Sequence, residues 1–179
     1  IAEDSEAKLL LADMDYEEAA SVIMKETPGL ISCLLAGGKG PDPYEKALEG
    51  QPDGPLAFSG SCDDQIAQLY YTSGTTGRPK GVILTHKNVC VHALATIAEL
   101  QLTDTDVWGH IAPMFHLADA WATFAVTWAG GTHVMVGQFE PEPVMAVIVE
   151  KRITLSNLIP TMLNLIVKHP KVKTYDFSS

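Results

Sequence analysis

The sequence predicts an α/β fold in which mainly parallel sheets are covered by helices. Three observations carry that prediction. Short apolar runs alternate with stretches whose apolar residues recur at helical spacing. Pro and Gly pairs punctuate the junctions, as at Pro28-Gly29, Gly37-Gly38 and Gly130-Gly131. The 179 residues are 46% hydrophobic and only 19% charged. That length buries about 70% of the unfolded surface, and the charge lies below the roughly 25% of an ordinary domain. Much of the surface is therefore built to be covered.

The elements follow in order. Lys8 to Ala12 reads as a strand, and Tyr16, Ala20 and Ile23/Met24 recur as a helix until Pro28-Gly29. Leu30 to Ala36 is a strand ended by the Gly37–Pro41 turn, and Pro43 to Glu49 a short helix. Residues 50–64 are rich in Gly, Pro, Ser and Asp and mark the boundary between an acidic α/β segment, 1–64, and a second segment, 65–179, of the same domain. Apolar residues Ile66, Leu69 and Tyr70 and the run Val82-Ile83-Leu84 read as two strands around a polar loop. Thr85 can cap a helix whose buried face is Val89, Ala93, Ile97 and Leu100. Beyond it come a strand (Val107 to Ala112), a helix (Leu117 to Ala129) and a strand (Thr132 to Val136). A helix (Pro143 to Lys151), a strand (Ile153 to Leu158) and a helix (Pro160 to Lys168) complete the alternation, which means parallel pairing with covering helices.

The loop between the two central strands carries the most information. Leu69 to Gly81 reads Leu-Tyr-Tyr-Thr-Ser-Gly-Thr-Thr-Gly-Arg-Pro-Lys-Gly. It gathers hydroxyls (Thr72, Ser73, Thr75, Thr76), glycines (Gly74, Gly77, Gly81) and cations (Arg78, Lys80) in one short span. Glycine permits positive φ, so successive N–H groups can converge on one anion. The hydroxyls add donors and Lys80 a mobile charge. A Walker-type loop is excluded by spacing, because Pro79 stands five after Gly74 and Lys80 is followed by Gly81. A loop between two strands has no helix dipole to draw on. Its field must come from the backbone, the hydroxyls and Lys80.

This run resembles the AMP-binding signature of the adenylate-forming superfamily, the acyl-CoA ligases, luciferases and peptide synthetase adenylation domains. Every position from Leu69 to Lys80 fits that pattern. The resemblance implies that Thr72, Ser73, Thr75, Thr76 and Lys80 contact the β- and γ-phosphates of ATP, while Gly74 and Gly77 shape the loop. In such enzymes a carboxylate attacks the α-phosphorus, giving an acyl-adenylate and pyrophosphate. Negative charge builds on the departing pyrophosphate, which is where donors and a cation stabilise the transition state. The resemblance also implies Mg²⁺, for which the sequence designates no carboxylate ligand, and CoA as the second substrate.

Pro113-Met114-Phe115-His116 follows a strand and opens a helix, where α/β folds place ligand groups. It resembles the Pro-x-Phe-His segment of the acyl-CoA ligase branch, in which Phe115 and His116 would border the acyl pocket and the CoA channel. Adenylation domains usually carry Asp at the position of His116, which favours the ligase branch. Where that branch often has Gly, this chain has Ala118 and Asp119. His116 and Asp119 at i, i+3 make a weak metal pair without a third ligand. His86, His92, His110, His133 and His169 show no partner spacing. Trp121, Phe124 and Trp128 fall three or four apart and read as a core stripe. Pro160-Thr161-Met162-Leu163 resembles a family segment at low specificity.

Charge and cysteine content narrow the partners. Residues 1–64 hold 14 Asp/Glu and 4 Lys/Arg, and residues 65–179 hold 8 of each, so the formal net charge of −10 sits in the first segment. An acidic chain without a basic face argues against nucleic acid and anionic membrane. Cys33, Cys62 and Cys90 are scattered, as free thiols of a reducing compartment are, and Cys33 reads as core. An intracellular setting, cytoplasmic or organellar and including the peroxisome, is the expectation. The uncharged run Ala120 to Phe139 is broken by Gly130-Gly131 and suits a buried helix, not a membrane span.

The reading is therefore an incomplete piece of a larger adenylate-forming N-terminal domain. Its parent would be an ATP-dependent acyl-CoA ligase acting on a fatty or aromatic carboxylic acid. No Tyr-Gly-x-Thr-Glu segment, Ser/Thr-Gly-Asp, hinge motif or C-terminal lysine motif occurs here. A C-terminal domain is absent on this reading, and the isolated chain would be inactive. Two alternatives stand beside it: an adenylation domain loading a carrier protein, and a non-catalytic nucleotide- or phosphate-binding module.

Overall fold

The structure is a computed structural model that describes residues 1–38, 40, 42–55, 60, 63–74 and 77–179. The chain divides into two compact units, one of Ile1–Gly60 with Tyr71–Val82, the other of Ser61–Tyr70 with Ile83–Ser179. The loop residues Tyr71–Val82 thus group with the acidic first segment, although composition places its boundary at 64.

In the first unit, β1 (Leu9–Asp13) pairs in parallel with β2 (Ser32–Ala36), Leu11 facing Leu34 in the register. A 3-10 turn (Met14–Tyr16) and helix α1 (Glu17–Glu26) make the crossover. Two exposed β-strand leucines, Leu9 and Leu11, alternate with half-buried neighbours, and Ala20 and Leu30 are buried. Helix α2 (Pro43–Leu48) starts at Asp42, whose carboxylate caps Tyr44 N–H at 2.8 Å and also accepts from Gly37 N–H at 2.7 Å. Those amides, that of Gly37 first, hold the Asp42 carboxyl below its ordinary value.

Strand β3 (Ile66–Thr72) pairs with β4 (Lys80–Thr85). The connection between them is too short for a parallel crossover, which needs about a dozen residues, so the pair is a hairpin.

In the second unit, helix α3 (His86–Leu100) follows Thr85, which forms a capping box with Asn88. Its buried face is narrower than predicted: Ala93 is buried and Ile97 packs on the core, but Leu100 is exposed. A three-stranded parallel sheet has the order β6-β5-β7, with β5 (Val107–His110) between β6 (Thr132–Met135) and β7 (Leu155–Ser156). Strand β7 is shorter than predicted because Ile153 N–H closes the preceding helix α6 (Pro141–Lys151) on Ile148 O. Helix α7 (Pro160–Val167) follows.

The predicted helix Leu117 to Ala129 is two pieces, α4 (Leu117–Ala120) and α5 (Ala122–Ala129). The reason is local. The Ala118 carbonyl accepts from Trp121 Nε1 and from Asn157 Nδ2, which removes it from the helical ladder. Core packing here is done by small residues: Ala122, Ala125 and Val126 bury against Ala93, Leu102 and Trp108. The predicted aromatic stripe is core only at Trp121, while Phe124 and Trp128 are exposed by 38% and 53%. A second cluster joins Ile111, Val144, Met145 and Ile166. Cys33, predicted as core, is only half-buried, and Cys62 lies outside the described residues.

Candidate functional site

The hairpin loop brings Thr72, Ser73, Gly74, Gly77 and Lys80 into one short span, while Thr75 and Thr76 lie outside the described residues. Thr72 is the last residue of β3 and Lys80 the first of β4, so the strands fix both ends. Gly74 has φ +64° and Gly77 φ +81°, left-handed backbone that favours glycine. A Cβ on Gly74 would stand 2.1 Å from the Arg78 carbonyl oxygen and 3.7 Å from Lys80 Cγ. The chain therefore doubles back on Gly74, and no larger residue fits. Gly77 faces open space, so only its φ demands glycine.

Among the described residues Lys80 has no ion-pair partner, and it is exposed. At the foot of the loop, the Tyr71 hydroxyl donates to Asp4 Oδ2 at 2.6 Å. That hydrogen bond, with some desolvation and the carboxylate charge, raises the phenol above its ordinary pKa. A turn held by two strands and a tyrosine, with the exposed Thr72 and Ser73 on one side and the exposed Lys80 on the other, has the donors and charge to bind a polyanion.

Phe115 and His116 belong to the second unit, just past the end of β5. His116 is the N-cap residue of α4, and its carbonyl accepts from the amides of Asp119 and Ala120 at 3.2 and 3.3 Å. Its ring sits 4.5 Å from that of Phe115, at 51°. Both side chains are exposed, Phe115 by 77%. Beginning one residue later, Leu117 lines a mostly apolar cavity of about 280 Å³ with Leu84, Val89, His92, Trp121 and Phe124.

Sequence spacing misses a buried polar chain beneath this loop. Asp119 is wholly buried, its Oδ1 accepting from Trp108 Nε1 at 3.2 Å and its Oδ2 lying 2.7 Å from His110 Nδ1. His110 Nε2 lies 2.9 Å from His133 Nδ1, with the rings stacked, and His133 Nε2 lies 3.0 Å from Thr127 Oγ1. Burial, and then the neighbouring His110, push the His133 ring below its ordinary value. Parallel pairing sets Trp108 opposite His133, which brings the two histidines onto one face. The Asp119 carboxylate turns inward, and both its oxygens are engaged by Trp108 and His110. The available signal was two histidines, His110 and His133, in short and mostly apolar strands. No group of three or more His, Cys, Asp or Glu able to hold a metal occurs among the described residues. No helix among them is long and apolar enough to cross a membrane.

Comparison with known proteins agrees with this geometry. A sequence model of the AMP-binding enzyme family matches residues 1–179. The chain is 30% identical over 177 residues to a feruloyl-CoA synthase of an Amycolatopsis species, covering 98% of this chain and 33% of that protein. It is 35% identical over 134 residues to the medium/long-chain-fatty-acid–CoA ligase FadD8 of Mycobacterium tuberculosis, covering 75% of this chain and 23% of that one. Among solved structures, the N-terminal domain of FACL13 from Mycobacterium tuberculosis aligns with a TM-score of 0.86 at 25% identity, over 99% of this chain and 44% of that one. The long-chain-fatty-acid-CoA ligase FadD1 from Archaeoglobus fulgidus gives 0.85 at 28%, over 99% and 36%. The chain spans about a third of the length of the feruloyl-CoA synthase it matches. Loop, fold and relatives converge: this chain belongs to the AMP-binding enzyme family.

Proposed function

We propose that the chain is the phosphate-gripping part of an ATP-dependent acyl-CoA ligase. The reaction would be carboxylate plus ATP to acyl-adenylate and pyrophosphate, followed by thioester formation with CoA. The observation that carries the reading is the Gly74 turn, closed against Arg78 and followed by a Lys80 without an ion-pair partner among the described residues. Thr72, Ser73, Thr75, Thr76 and Lys80 would hold the outer phosphates, with Gly74 and Gly77 shaping the backbone. Their task is to receive negative charge as pyrophosphate departs. Mg²⁺ would share that charge when bound, and no residue here is assigned as its ligand.

The acid would lie in the apolar cavity that starts at Leu117, with Phe115 and His116 at its approach. Its volume, about 280 Å³, lies at the small end of ligand pockets and suits an aromatic or short aliphatic acid. His116 favours CoA over a carrier protein as the acceptor. Without the Tyr-Gly-x-Thr-Glu, Ser/Thr-Gly-Asp, hinge and lysine motifs, these residues alone would support little or no adenylation. The test is ATP–pyrophosphate exchange by the full-length protein over a panel of carboxylates, wild type against Lys80→Ala. Exchange that collapses in the variant supports the reading. Exchange that persists at the wild-type rate overturns the phosphate assignment, and transfer to a carrier protein but not to CoA would move the chain to the adenylation-domain class.

A further inference from the structure

His116 stands at the head of α4, a helix of only four residues. One turn does not hold itself together, because it fixes several backbone dihedrals for very few hydrogen bonds. Something outside the helix must place it. The Ala118 carbonyl is tied by Trp121 and Asn157. The deeper tie is Asp119, fully buried and bonded to Trp108 and His110, both on β5. Hydrocarbon would fill that space without the cost of desolvating a carboxylate.

We propose that Asp119 is the positioning residue of His116, holding α4 through its hydrogen bonds to Trp108 and His110, and that the same carboxylate sets the proton order of the Trp108–Asp119–His110–His133–Thr127 chain. The role of His116 at an acyl site rests on the ligase reading. The placement of His116 does not.

The proton order follows from donor and acceptor chemistry. Trp108 Nε1–H can only donate, so it occupies one oxygen of Asp119. The other carboxylate oxygen accepts, so the hydrogen of a neutral His110 sits on Nδ1. His110 Nε2 is then an acceptor, which places the His133 hydrogen on Nδ1. His133 Nε2 in turn accepts from the Thr127 hydroxyl. Every link points toward the carboxylate, and none is left without a partner. Asp119, in α4, is the acceptor on which both arms of that run converge, so the helix turn is held by two hydrogen bonds and not by a single contact.

Replacement by Asn makes a sharp test. Trp108 still needs an acceptor, so the Asn oxygen must face Trp108 and the NH₂ must face His110. His110 Nδ1 becomes the acceptor, its hydrogen moves to Nε2, and His133 follows. Asp119→Asn therefore reverses the order of the chain while keeping the same contacts. Asp119→Ala removes the tie.

The experiment uses the 179-residue chain with ¹⁵N-labelled histidine, and needs no nucleotide. Two-bond ¹⁵N–¹H correlation at about pH 8, above the ordinary histidine range, reads which ring nitrogen carries the hydrogen. The expected result is Nδ1–H on His110 and His133 in the wild type, and Nε2–H on both in Asp119→Asn. Hydrogen exchange at the amides of Asp119 and Ala120, which bind the His116 carbonyl, should stay near wild type in the Asn variant. In Asp119→Ala the amide of Ala120 should exchange about tenfold faster or more. Unchanged tautomers in Asp119→Asn overturn the proposal, as does a folded Asp119→Ala whose Ala120 amide is as protected as in the wild type. Should the Ala variant not fold, the tautomer result decides. Failure of pyrophosphate exchange in the full-length protein would sink the ligase reading and leave this result standing.

Discussion

The glycine-rich loop between β3 and β4 and the polar chain beneath His116 are two opposite ways of building a polar site. The loop draws on one short stretch of sequence, lies open to solvent and owes its shape to backbone, with Gly74 and Gly77 at positive φ. The buried chain gathers Trp108, His110, Asp119, Thr127 and His133 from one strand, two helices and a second strand. It is made of side chains, buried at Trp108, His110 and Asp119, half-buried at His133 and exposed at Thr127. The first kind tolerates changes around it provided the backbone turns. The second fails where Asp119 is lost, because the buried Trp108 and His110 donors without an acceptor keep their full desolvation penalty.

That contrast can be broken or sharpened by experiment. The largest effect belongs to the loop. Lys80→Ala in the full-length protein should lower ATP–pyrophosphate exchange by about 10² or more, the usual cost of one preorganised charge-stabilising donor. Unfolding of the 179-residue chain should scarcely change, because Lys80 holds no ion pair among the described residues. A large loss of stability would erase the distinction between the two regions.

Next comes the buried chain. Asp119→Ala should destabilise the chain by about 2–4 kcal/mol in urea unfolding, since it strands two buried donors at roughly 1–3 kcal/mol each. Asp119→Asn should cost less than half of that. Equal costs for the two variants would mean that burial, and not hydrogen bonding, sets the energy of this site.

Within the loop the two glycines should differ. Gly74→Ala combines positive φ with a Cβ 2.1 Å from the Arg78 oxygen, and should cost about 2 kcal/mol or more. Gly77→Ala meets only the φ penalty and should cost about 1 kcal/mol. Thermal unfolding of the pair reads the difference directly, and similar values would mean that the loop does not close on itself at Gly74.

The smallest effect concerns pH. The His133 ring sits below its reference value of 6.5, chiefly through burial. The unfolded chain therefore binds a proton that the folded chain refuses. Stability from this group is fully present above the unfolded value and is lost as pH falls through the lowered one. Urea midpoints between about pH 7.5 and pH 5 should fall less steeply in His133→Gln than in the wild type. Parallel slopes would exclude His133 as a contributor.

Legibility followed the same divide. The hairpin flanks, the Thr85 cap and the alternation of strands and helices all appear in the structure, with shifted ends. Helix and strand ends moved wherever a side chain or a closing hydrogen bond intervened. The break before α5 needs Asn157, which is distant in sequence, to reach the Ala118 carbonyl. The aromatic stripe misled because spacing marks one helix face without saying what lies opposite it. Packing selected the alanines instead.

The sequence by itself determined the family, the glycine-rich loop and the α/β alternation, since each is written in neighbouring residues through glycine φ, a local motif and apolar periodicity. Only the tertiary structure decided that Asp119 faces inward and that His110 meets His133. Those contacts depend on which residues parallel strand register sets side by side, and local spacing carries no record of that register.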